Sequence, residues 1–130
     1  MSVVYVCYYR TAGESCVHYA EPAIKKLSIN AHVWERWKHT LRCIESIDRY
    51  ELYAVDRYGN AVGLAALAFD NDFNLGDCIT VSAAASAGGT GFMRYVINCA
   101  KRFAKELDVR YVAYTKTITP LRYELRYLEV

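Results

Sequence analysis

The run Val81-Ser82-Ala83-Ala84-Ala85-Ser86-Ala87-Gly88-Gly89-Thr90-Gly91 constrains this chain more than any other stretch. A β-prone segment, Cys78-Ile79-Thr80-Val81, leads into it, and a long amphipathic pattern over residues 92–107 leaves it. Between them no side chain exceeds a serine or threonine, so another molecule can approach the backbone closely. Strand, small-residue loop and helix start together form a device that holds phosphate on backbone N–H groups. The first acid after the loop is Glu106, so no carboxylate complements the start of the helix dipole. Arg94 stands there instead, which is unfavourable unless an anion is bound. The competing reading is a tight strand-to-helix turn with no ligand.

Two common phosphate loops do not fit. Gly91 is followed by Phe92-Met93 where a P-loop needs Lys-Ser/Thr, and Gly88-Gly89-Thr90-Gly91 lacks the GxGxxG spacing of dinucleotide sites. A calcium loop counted from Asp70 would place Leu75 where glycine belongs and Val81 where a bidentate carboxylate belongs, so residues 70–77 read as a solvated hairpin loop. His18, His32 and His39 are scattered, and no Ser/His/Asp order or nucleophile elbow assembles. Cys16, close to His18, is the one thiol that invites a nucleophilic reading, and nothing else supports it.

The rest of the chain reads as alternating strands and helices in one domain spanning 1–130. Residues 3–9 are β-branched and aromatic, a first strand. A short helix is expected over 20–27, with Pro22 at its first turn. A longer one follows Asn30 to about Asp48, with Trp34, Trp37, Leu41 and Ile44 as its apolar stripe. Strands are expected over 51–56 and 61–69, joined by the turn Arg57-Tyr58-Gly59-Asn60, then over 78–84 and 109–116. The end, 119–130, fits a helix by Leu121, Leu125 and Leu128 or a strand by alternation, and the helix is preferred. The expected order is β-α-α-β-β-β-α-β-α, an α/β (α+β) chain with a mixed, mostly antiparallel sheet flanked by helices. Twelve tyrosines suit such strands. A net charge of +2, with dispersed basic residues, argues against nucleic acid or a membrane surface as partner. Five widely spaced cysteines without a leader-like segment read as reduced, mostly buried thiols of a cytoplasmic protein.

At the glycine loop the sequence resembles the GCN5-related N-acetyltransferases (GNAT). Their signature sets a valine on a strand, a proline two residues later, then Gln/Arg-x-x-Gly-x-Gly/Ala opening a long helix. Here Val81 through Gly91 keep that spacing, with Ala83 at the proline position, Ser86 at the Gln/Arg position, and Gly89 and Gly91 as the later glycines. The resemblance implies acetyl-CoA as acyl donor. Backbone of Ala87, Gly88, Gly89, Thr90 and Gly91, with Arg94 nearby, would hold its pyrophosphate, and backbone of Val81, Ser82 and Ala83 would pair with its pantetheine arm. It implies acyl transfer to an amine, small or on a protein, by direct attack. Tyr123 is the candidate general acid, Tyr127 its rival, and Asp77 or a water the candidate base. The family's last two strands are nearly missing by this reading, leaving an edge that a second copy or a partner could cover. A looser likeness, over the central third, is to short acetyltransferase-like proteins of tailed bacteriophages, some internal to the virion. That likeness implies a fold kept for structure or interaction, in the host cytoplasm or the virion.

Overall fold

The computed structural model describes residues 2–16, 22, 31–86, 91–119 and 122–130. Six strands in it form one sheet whose spatial order follows the chain: β1 (Val3–Arg10), β2 (Arg49–Asp56), β3 (Ala61–Asp72), β4 (Gly76–Ser86), β5 (Tyr111–Thr119) and β6 (Arg122–Glu129). Every neighbouring pair is antiparallel except β4 and β5. Antiparallel neighbours need only a tight turn, whereas a parallel pair needs a crossover. Helix α2 (Phe92–Glu106) supplies that crossover, and α1 (Ala31–Glu45) lies between β1 and β2.

Both faces of the sheet are apolar at its centre. One face joins Leu52, Ala54, Leu67, Val81 and Val112 to Phe92, Val96, Cys99, Ala100, Phe103 and Ala104 of α2, which recur at three- and four-residue spacing. The opposite face gathers Tyr53, Val55, Ala61 and Leu64 with Leu41 of α1 and with Val6, Tyr8 and Cys16. Residues 61–68 of β3 are therefore buried on both sides, as their unbroken apolar run requires. Turns are fixed by local carboxylates. Asp56 Oδ1 accepts the amides of Tyr58 and Asn60, both at 2.9 Å, and Asp72 Oδ1 accepts those of Asn74 and Leu75 at 2.8 and 3.1 Å.

On the α1 side the core contains a charge pair. Arg49 and Glu51 are each 1% exposed, with Arg49 Nη2 and Glu51 Oε2 2.8 Å apart. Tyr53 donates its hydroxyl to Glu51 Oε1. The remaining guanidinium hydrogens reach Thr11 O (3.2 Å), Ile47 O (3.2 Å) and Glu14 O (2.7 Å). One side chain thus ties the loop after β1 to the segment that follows α1, and satisfies carbonyls that have no ladder partner.

Several expectations change. Residues 122–129 are a strand, not a helix: β6 pairs with β5 from Tyr111↔Glu129 to Thr119↔Arg122. Ladder bonds to an otherwise unpaired edge outweigh the leucine stripe, and Leu125 is left 52% exposed. The expected order therefore ends in β, not α, and a full sixth strand follows β5 where almost none was anticipated. The hairpin between β3 and β4 is also tighter than the expected 70–77 loop, because pairing runs out to Asp72↔Gly76. Cys78 and Cys99 are buried and Cys16 partly so, but Cys7 and Cys43 are exposed; all five thiols are free. The expected helix over 20–27 lies outside the described residues apart from Pro22, as do the side chains of Trp34 and Trp37. Among the described residues no helix is long and apolar enough to cross a membrane.

Candidate functional site

The parallel pair is short. β4 is matched to β5 only from Cys78↔Tyr111 to Val81↔Tyr114, while β4 continues to Ser86 against β3 and β5 continues to Thr119 against β6. The two strands therefore part after Val81. A bulge marks the same point: Ala66 faces Ala83 and Leu67 faces Val81, so Ser82 has no partner on β3. Bulges of this kind bend a strand and re-aim its backbone, often beside a site. Past it, the backbone of residues 82–86 turns no ladder toward β5. In open α/β sheets ligands sit at the carboxyl ends of parallel strands where neighbouring strands diverge.

The start of α2 closes that end of the sheet. Gly91 precedes the helix in the left-handed region at φ +66°, and no side chain caps the first amides. The first turn holds no acid, and Arg94 is exposed within it. These features suit an anion of phosphate type and leave the dipole uncompensated without one. Helix placement depends on close packing. Phe92 is fully buried, and its ring would lie 2.9 Å from a Cβ at Gly63 of β3. Tyr5 stacks on Tyr95 with centroids 4.3 Å apart, and its hydroxyl stands 3.1 Å from where a Cβ on Gly91 would be. Gly63 and Tyr5 do not figure among the residues expected from sequence. The signal for Gly63 was legible, a lone glycine inside an apolar strand; Tyr5 carries no local signal.

The expected site residues divide between the two ends of the sheet. Val81, Ser82, Ala83 and Ser86 stand on β4 at and beyond the parting, and Gly91 and Arg94 at the helix start. Ala87, Gly88, Gly89 and Thr90 lie outside the described residues, as does the side chain of Ala83. Tyr123 of β6 is opposite Thr117, in the part of β5 that has left β4; its side chain is outside the described residues. Tyr127, opposite Ala113, belongs to the closed end. Its hydroxyl donates to the Asp72 carboxylate at 3.0 Å, and Asp72, held chiefly by the Asn74 amide, is more acidic than usual. Asp77 is also at the closed end. It is four residues before Val81, about 13 Å along an extended strand, and it accepts from Asn71 Nδ2 at 2.9 Å. The structure does not bring Asp77 to the parting.

Burial, with the charges of Glu51 and Glu45, pushes the Cys16 thiol up to about 12, so the thiolate is scarce.

No family model matches the sequence, and no curated protein is similar to it at a significant level. Solved structures do resemble it. One, from Acinetobacter baylyi and described as a candidate acetyltransferase, superposes with a TM-score of 0.50 at 12% identity, covering 93% of this chain and 74% of that one. Another is a GNAT family acetyltransferase from Elizabethkingia anophelis with acetyl-CoA bound, with a TM-score of 0.48 at 10% identity, covering 89% of this chain and 67% of that one. At such identities the likeness is one of fold. The chain shares the fold of the Acinetobacter baylyi structure, a mixed and mostly antiparallel sheet flanked by helices.

Proposed function

We propose that this chain is an acyl-CoA-dependent N-acyltransferase that moves an acetyl group to an amine. The observation that carries the reading is the parting of β4 from β5 at Val81 beside the uncapped, acid-free start of α2. A pantetheine amide chain needs strand-like partners, and residues 82–86 offer unmatched backbone toward the gap. A pyrophosphate needs amide donors and a positive field, and the Gly91 end of α2 with Arg94 offers both. Bound acetyl-CoA would supply a thioester carbonyl for direct attack by an amine. The chain's own part is to orient that carbonyl, polarise it with a β4 amide near the Ser82 bulge, and return a proton to the departing thiolate. Tyr123 is proposed for the proton, because Tyr127 is bonded to Asp72 at the other end.

A second reading keeps the fold and drops the chemistry: a GNAT-like structural or interaction module. It is favoured by the lack of any acid between Cys78 and Ser86 or between Tyr111 and Thr119, the strands that flank the gap. Thiol release from acetyl-CoA with a panel of amines separates the two. Amine-dependent release is expected, and Tyr123→Phe should lower kcat about 10²-fold with little change in KM for acetyl-CoA. Release by neither protein, from a chain that binds the cofactor, favours the module. Equal kcat in wild type and variant removes Tyr123 from its role.

A further inference from the structure

Resting on the acyltransfer reading, we infer that the acceptor is a small dicationic amine, with one nitrogen attacking at the Ser82 bulge and a second cationic group held at Asp70. A cavity of about 360 Å³ lies on the α1 side of the sheet, walled by Ala12, Ser46 and Asp48 and floored by Ala68, Asp70 and Ser82. It is distinct from the gap between β4 and β5, yet meets it at Ser82, the unpaired residue of the bulge. The floor is small, since Ala68 faces Thr80 on the ladder, and Asp70 follows two residues on, opposite Cys78. Asp70 and Ser82 therefore stand at opposite ends, four residues of β4 or about 13 Å apart in level.

The lining carries two carboxylates and no basic side chain. Each carboxylate is held by a backbone amide: Asp48 Oδ1 accepts from Ala12 N at 2.7 Å and Asp70 Oδ1 from Asn71 N at 2.8 Å. Fixed carboxylates at one end favour a cation there, and the hydroxyl of Ser82 is the polar group at the other. A monoamine fills only the reacting end, and an amino acid with a distal carboxylate is repelled. In the transfer, the amine nitrogen forms a bond to the acyl carbon as the C–S bond breaks. The acceptor enters as an ammonium ion and loses two protons, one ending on the CoA thiolate and one in solvent.

The test compares kcat/KM for 1,6-diaminohexane, hexylamine and 6-aminohexanoate at low ionic strength. The diamine is expected to exceed hexylamine by roughly threefold, the scale of one exposed charge contact, and 6-aminohexanoate to be poorest. Asp70→Asn should lower the diamine-to-hexylamine ratio, with Asp48 left as the remaining carboxylate, and Asp70→Lys should favour 6-aminohexanoate over the diamine. Asp70 is exposed at the end of β3, so these changes spare the core. A wild-type ratio near one, or a ratio unmoved by Asp70→Asn, overturns the inference while leaving acyl transfer intact. Failure to acetylate any amine overturns acyl transfer itself and this inference with it.

Discussion

Glu51→Ala is expected to lower the unfolding free energy by about 3–5 kcal/mol, read from the urea midpoint. Glu51 is 1% exposed and accepts from Arg49 on one oxygen and Tyr53 on the other. Its removal leaves a guanidinium buried without its counter-charge and a buried phenol without its acceptor. A buried ion pair can often be replaced as a unit by apolar residues at little cost. That should fail here. Arg49→Met/Glu51→Met removes both charges but also strips the donor from the carbonyls of Glu14 and Ile47, while Thr11 O keeps the Glu14 amide at 3.1 Å. Each stranded carbonyl costs about 1–3 kcal/mol where water cannot reach it. The double variant should therefore stay well below wild type. A Glu51→Ala protein within about 1 kcal/mol of wild type would contradict this account of the α1 side.

Gly63→Ala is the second large effect, and it links β3 to the helix start. A Cβ there meets Phe92 Cγ and Cδ2 at 2.9 Å and Ala54 Cβ at 3.1 Å. All three lie in the core, so relief requires Phe92 to move, and Phe92 is the first residue of α2. Overpacking of this kind costs about 1–3 kcal/mol. A shift of about 1 Å at the helix start should also lower turnover by roughly 10²-fold in protein that is still folded. Adding Phe92→Leu, which frees space beside the new methyl, should recover part of both losses, a coupling that a double-mutant cycle measures. Unchanged stability in Gly63→Ala would mean that α2 is not seated as described.

The contrast between these residues and the glycine loop shows what the sequence made legible. The apolar runs of β3 and β4, the α2 stripe from Phe92 to Ala104, and the turn at Asp56–Asn60 follow from local pattern, and the structure keeps them. The last strand was misjudged because residues 121–128 satisfy both periods, and only the neighbouring edge of β5 decides between them. Arg49, Glu51 and Tyr53 alternate on β2, but that this alternating charge faces inward depends on carbonyls brought from Thr11 and Glu14, far off in sequence. Within the candidate site, Val81, Ser82, Ala83, Ser86 and Gly91 were expected from the family resemblance; they stand on β4 and at the start of α2. Asp77 was named as the acid at the start of a strand that has none of its own, and that start lies at the end of β4 away from the parting. The gap itself has no sequence signature, since it arises from where two ladders stop.

Calorimetric titration with acetyl-CoA and with CoA tests the central claim most directly. Wild type is predicted to bind both, with binding weakened by salt because the pyrophosphate contact is electrostatic. Gly89→Val, which sets a branched side chain in the loop that should receive the pyrophosphate, is predicted to abolish that heat. No heat and no thermal shift from wild type at millimolar CoA would contradict the account and leave the fold with a structural or interaction role.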